Sequence, residues 1–275
     1  MPYFVWSIIY LILSVLANYK NIRGVVLERL YAMVSFRGAA PLWFLCTLFW
    51  SKVLFTSIDY VVGKLKTRYY IIYFLILAIL FLLCVFFDYC YKSISVLHSN
   101  PFIAYPFVGF CRLWISIFFV IFGYLVSESG MLNKVAETSS LSKMSLLLCS
   151  VLFLILINLS FMNKVNMHLY DFDSIVLFFI TAFIGVFAIL LLCMILPLNN
   201  KMLSYLGKHT LEVMVLHYHP IPLLTIVFLL FQLFDIAQYT FIQACVVLLV
   251  VLVIIHLLKV TVYKNPVLKF LLLGR

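Results

Sequence analysis

Three side chains in one stretch have the chemistry to move protons: Glu212, His217 and His219. Imidazole and carboxylate groups are the usual general acids and bases near neutral pH. Pro220 and Pro222 follow directly, and each lacks an N–H, so the carbonyls of Leu216 and Tyr218 lose their helical partners. At membrane depth, free backbone groups persist only inside protein or against a water-filled cavity. The spacing therefore predicts a pocket where a broken helix and polar side chains share one depth. Just upstream, Gly207 and Lys208 close a short polar segment, and Thr210 is placed to cap the next helix.

The elements that must position these groups are membrane helices. Hydrophobic residues make up 67% of the 275-residue chain and charged residues 10%, with a mean hydropathy of +1.21. This composition predicts an all-α, polytopic transmembrane helix bundle, read as a single domain over residues 1–275. About eight segments are long enough to span a bilayer: roughly 3–17, 41–62, 70–90, 104–126, 143–161, 173–196, 209–233 and 238–260. The first reads as a short span rather than a signal peptide. The seven cysteines fall almost entirely in apolar segments without a C-x-x-C pair, so they read as buried apolar side chains.

The net charge of +10 reads as topology, not nucleic-acid binding. More Lys and Arg fall on the side of the termini, including Lys64, Lys201, Lys208, Lys259 and Lys264, than opposite. The positive-inside rule then places both termini in the cytoplasm. The loop at 18–40 repeats Val25, Val26, Leu30, Met33 and Val34 at helical spacing among Arg23, Arg29 and Arg37. It reads as an amphipathic helix on the outer surface, or as a basic rim attracting an anionic acceptor.

Within the spans, Trp43 suits a membrane interface, and Lys52 lies about 16 Å into its helix. A lysine there snorkels, pairs or lines a cavity; Asp59 is on the same face about two turns away. Arg112 follows Pro106 closely enough to snorkel outward. Gly123 reads as a site of close helix packing, and residues 162–173 as a solvated turn. His217 and His219 project about 200° apart on a helix and have no evident third ligand, which argues against a metal.

Several stretches match one family in order. Gly207-Lys208-x-Thr210-Leu211-x-Val213-Met214-x-x-His217 resembles the G-K-x-S-L-x-I-Y-x-x-H signature of acyltransferase family 3. Pro41-Leu42-Trp43-Phe44-Leu45 with Leu48-Phe49, then Phe118-Phe119 with Gly123-Tyr124, and finally Asn265-Pro266 with Lys269-Phe270-Leu271 and Gly274 resemble further segments. Pro2-Tyr3-x-x-Trp6-x-x-x-Tyr10 is similar to the family's third helix.

The resemblance implies a multi-pass enzyme, in the inner or plasma membrane of a bacterium, that moves an acyl group. The donor would be acyl-CoA, with acetyl-CoA the common case, and the acceptor a surface polysaccharide or its lipid-linked precursor. His217 matches the family's C-terminal histidine, and Glu212 would orient His219. Lys208, Gly207 and Thr210 would meet the donor at a cytoplasmic helix start, or Lys208 would lie among headgroups. Lys52, Arg112 and Trp43 are candidates for the pocket wall. The family's first span carries an Arg and, about ten residues later, a catalytic His; no such pair occurs in this sequence. The first two family helices are therefore expected to be missing, with activity requiring an upstream segment or a second polypeptide. A carrier or scaffold in polysaccharide assembly is the alternative, since broken helices and buried polar groups also serve transport.

Overall fold

The computed structural model describes residues 2–17, 22–35, 37–38, 41–64, 69–196, 201–217, 227, 231 and 241–274. It is all-α apart from one two-stranded hairpin. Helices Leu42–Gly63, Tyr69–Ser93, Pro101–Glu128, Ser140–Phe161, Ile175–Ile195 and Gln243–Val260 are long and apolar enough to cross a membrane, and Pro2–Leu16 is a shorter apolar stretch. These match seven of the expected segments. In the remaining one, 209–233, the described residues are helical over Thr210–Leu216 and at Val227 and Phe231.

Contacts divide the chain into two units, with the boundary inside the helix Leu42–Gly63. The first comprises 1–46 and 201–275. Its helices are α1 (Pro2–Ala17), α2 (Ile22–Val34) and the start of α3 (Leu42–Gly63). The second comprises 47–200, with the rest of α3, then α4 (Tyr69–Ser93), α5 (Val96–Ser99), α6 (Pro101–Glu128), α7 (Met131–Glu137), α8 (Ser140–Phe161) and α9 (Ile175–Ile195). Strands β1 (Val165–Asn166) and β2 (Asp171–Phe172) join α8 to α9. The first unit resumes with α10 (Lys201–Lys208), α11 (Thr210–Leu216), α12 (Phe241–Val260) and α13 (Pro266–Leu273).

In the second unit, α4 and α6 pack through apolar side chains three or four residues apart. Tyr73, Leu77, Leu80 and Cys84 face Val108, Cys111, Ile115, Phe118 and Ile121 in one buried cluster. Helix starts follow local chemistry. Asn100 accepts from the Phe102 N–H at 3.0 Å with Pro101 in the first turn, and Ser139 accepts from Ser142 N–H at 3.1 Å. Gly123 departs from expectation: among the described residues a methyl group there would meet no atom within 4 Å, so no close packing among them depends on it.

The segment read as a solvated turn is instead anchored. Val165 pairs with Phe172 and Asn166 with Asp171, while Tyr170 and Phe172 are 0% and 1% exposed. Burial holds the Tyr170 phenol far above its ordinary pKa. Only the polar rim fits the earlier reading: Lys164 Nζ donates to Asp171 at 2.8 Å, and that bond raises the lysine's pKa. Arg112 explains the anchor. It does not snorkel but is 0% exposed, its Nε donating to the Met167 carbonyl at 2.8 Å and its Nη2 to the His168 carbonyl. A guanidinium carries five donors in a fixed fork, so it can hold a turn whose carbonyls would otherwise be buried without partners. Arg112→Leu should therefore raise amide exchange across 165–172 and cost about 1–3 kcal/mol for each abandoned carbonyl in thermal unfolding. Unchanged protection of the hairpin would contradict this role.

The first unit is held by α1. Tyr3, Trp6 and Tyr10 are all buried, and each polar tip reaches a backbone carbonyl. Tyr3 donates to Met33 on α2 at 2.9 Å, Trp6 to Leu272 on α13 at 3.0 Å, and Tyr10 to Val215 on α11 at 2.5 Å. The expected helix in the 18–40 loop is present as α2, with Val25, Val26 and Met33 half-buried and Leu27 and Val34 exposed. Helix α13 forms as its sequence dictates: Asn265 accepts from Val267 and Leu268, Pro266 opens the first turn, and Gly274 closes it at φ 74°.

Candidate active site at the joint of α10 and α11

One residue, His209, separates α10 from α11, and its backbone makes the joint. Its N–H is shared between the carbonyls of Tyr205 and Leu206 at 3.2 and 3.1 Å, and its own carbonyl accepts from Val213 at 2.9 Å. Thr210 is not the cap. Its Oγ1 donates back to Leu206 and Gly207 at 3.1 and 2.9 Å, and His209 holds the cap position. A threonine inside the first turn can bond the carbonyls three and four residues back, which draws its hydroxyl away from the N–H groups ahead.

The His209 side chain completes the joint. Its Nδ1 lies 2.8 Å from Glu212 Oε1, and the two residues are 8% and 1% exposed. A carboxylate accepts, so Nδ1 is the donor in this contact. Glu212 also sits in the first turn of α11, where the helix dipole favours a negative charge. The Tyr205 ring packs on the imidazole with centroids 4.5 Å apart, and Lys259 Nζ stands 4.4 Å from the centre of that same ring. The joint is thus a layered contact between α10, α11 and the last turn of α12.

Helix α11 ends at Leu216, with His217 as its cap. The break comes ahead of the prolines, which lie outside the described residues together with Tyr218 and His219. Both the N–H and Nδ1 of His217 donate to the Val213 carbonyl at 3.1 Å. A carbonyl can only accept, so Nδ1 is the donor in this contact too. The side chain is exposed, whereas Val215 and Leu216 before it are buried against Val251 and Ile255 of α12. Two imidazoles, each held by its Nδ1, therefore bracket one short helix.

Of the residues expected from sequence, Gly207, Lys208, Thr210 and Glu212 meet at the joint, and His217 stands at the far end of α11. Glu212 turns to His209, a residue the sequence reading passed over. The signal was available in the H-x-x-E spacing, which places a side chain at a helix start over one in its first turn, as in a capping box. Trp43 is half-buried at the start of α3. A Cβ on Gly38 would come within 2.4 Å of the Trp43 nitrogen, so this approach to α3 requires glycine. In the second unit, Lys52 is exposed with its Nζ 6.0 Å from the Phe55 ring centre, and Asp59 accepts from Tyr73 at 2.7 Å, not from Lys52. Arg112 serves the hairpin. Among the described residues no three His, Cys, Asp or Glu side chains gather as metal ligands.

Removing Glu212 alone would strand a histidine in an apolar joint. Glu212→Ala is expected to lower stability by about 3–5 kcal/mol, whereas replacing both partners with leucine should recover most of that loss. Thermal unfolding in detergent measures both. A single variant as stable as the parent would show that the pair is not buried as described.

Compared with known families, the chain matches the model of the acyltransferase 3 family, an acyltransferase domain, over residues 1–259. No curated protein and no solved structure gives a significant match.

Proposed function

Because the chain belongs to the acyltransferase 3 family and is a multi-pass membrane acyltransferase, we propose a specific reaction for it. It moves an acyl group, acetyl in the simplest case, from acyl-CoA to a hydroxyl of a surface polysaccharide or its lipid-linked precursor. Both termini lie in the cytoplasm, where Lys201, Lys208 and Lys264 follow the positive-inside rule. The donor then approaches from the α10–α11 side.

The observation that carries this reading is His217. It occupies the motif's histidine position, is exposed where α11 ends, and is oriented by its Nδ1 contact with the Val213 carbonyl. Transfer to a hydroxyl needs a base of this kind. Nε2 takes the acceptor proton as the hydroxyl oxygen attacks the thioester carbonyl; the C–O bond forms, the C–S bond breaks, and CoA leaves with the sulfur. Gly207, Lys208 and Thr210 line the approach at the joint. The His209–Glu212 pair fixes the start of α11 and hence the line along which His217 is presented.

The test is His217→Ala in reconstituted protein supplied with acetyl-CoA and a polysaccharide acceptor. Loss of a general base should lower kcat by about 10²–10⁴-fold, with little change in the unfolding temperature because the side chain is exposed. A variant that turns over like the parent would remove His217 from the chemistry.

A further inference from the structure

The described residues from 201 to 274 contain five lysines (Lys201, Lys208, Lys259, Lys264 and Lys269) and a single carboxylate, Glu212. That carboxylate is buried against His209. Lys208 adjoins the joint and Lys259 stands over its Tyr205 ring, and such cations draw anions to a surface. Lys259 stands apart from the others. It is half-buried in the last turn of α12, and it forms no ion pair with a carboxylate among the described residues. Its ammonium is positioned instead by the Tyr205 ring at 4.4 Å. A ring face restrains a cation but satisfies none of its three N–H donors by a conventional hydrogen bond. Tyr205 in turn rests on His209, so this cation is fixed at the level of the joint.

The distance along α11 gives the charge a partner. His217 lies eight residues beyond His209, a rise of about 12 Å. The pantetheine arm of CoA is as long as roughly four to five residues of extended chain, about 15 Å. A thioester offered to His217 thus leaves its phosphates near the joint. We propose that Lys259, seated on Tyr205, binds a phosphate of the acyl-CoA donor. This rests on the acyl-CoA reading above. A phosphate could also come from an anionic lipid headgroup, and the experiment separates the two sources.

The experiment compares Lys259→Gln and Lys259→Arg with the parent protein in vesicles of neutral lipid. Each is supplied with acetyl-CoA or with acetyl-pantetheine, which has the thioester but no phosphate. Loss of a charge-assisted hydrogen bond should raise the KM for acetyl-CoA about tenfold or more in Lys259→Gln. The kcat and the KM for acetyl-pantetheine should hold within about twofold, and arginine should restore most of the affinity. An unchanged KM for acetyl-CoA overturns the assignment, and if activity then depends on added anionic lipid, the lysine belongs to the membrane. Equal losses on both donors also overturn it, since they indicate packing, not phosphate binding. A parent protein that releases no CoA from acetyl-CoA would instead defeat the donor reading itself.

Discussion

A carboxyl group that is 1% exposed among apolar side chains needs a hydrogen-bond partner within reach, and His209 supplies one to Glu212. Much of the local architecture depends on meeting this demand. The pair requires α10 to stop at Lys208 and α11 to begin at Thr210, with a single residue between them. It brings the His209 ring under Tyr205, and Tyr205 under Lys259 from the end of α12. It also sets the start of α11, and through seven helical residues the position of His217. The pair's contribution is thus one of direction: it fixes where α11 starts.

The same constraint acts on the backbone. A helix that ends at membrane depth leaves its last carbonyls without internal partners. Here the Val213 carbonyl is met by His217 and the Val215 carbonyl by the Tyr10 hydroxyl from α1. Tyr3 and Trp6 repeat the device toward α2 and α13, so one face of α1 holds three separate elements through aromatic rings with polar tips. The second unit has a comparable solution in Arg112, which holds the hairpin turn by its carbonyls. Tyr3, Trp6 and Tyr10 each carry a polar tip on a large apolar body to a backbone carbonyl of another helix.

Hydropathy made the helices legible, because a span about 30 Å thick demands a long apolar run whatever its detailed packing. Local rules also made α13 readable, with Asn265 before Pro266 and Gly274 after Leu273. The site was only half legible. The stretch from Gly207 to His217 stood out through its polar residues, and Glu212 was paired with His219 because a seven-residue spacing puts both on one helix face; His219 lies outside the described residues. The contact with His209 went unread beside the two histidines downstream, although the H-x-x-E spacing at the helix joint carries it. Residues 162–173 looked solvated because their charges are visible in the sequence, whereas the burial of Tyr170 and Phe172 depends on Arg112, fifty-five residues or more away from the carbonyls it holds. Sequence separation of that size hides such contacts from any local pattern.

The proposed path runs from a soluble donor at the start of α11, beside Lys208 and Lys259, to His217 at its end. The most direct test is sidedness. In proteoliposomes carrying the protein in one known orientation and an acceptor polysaccharide, acetyl-CoA is supplied on one face at a time. The account predicts acyl transfer only when acetyl-CoA is on the face that carries the termini. Transfer from the opposite face, or from neither, would contradict it.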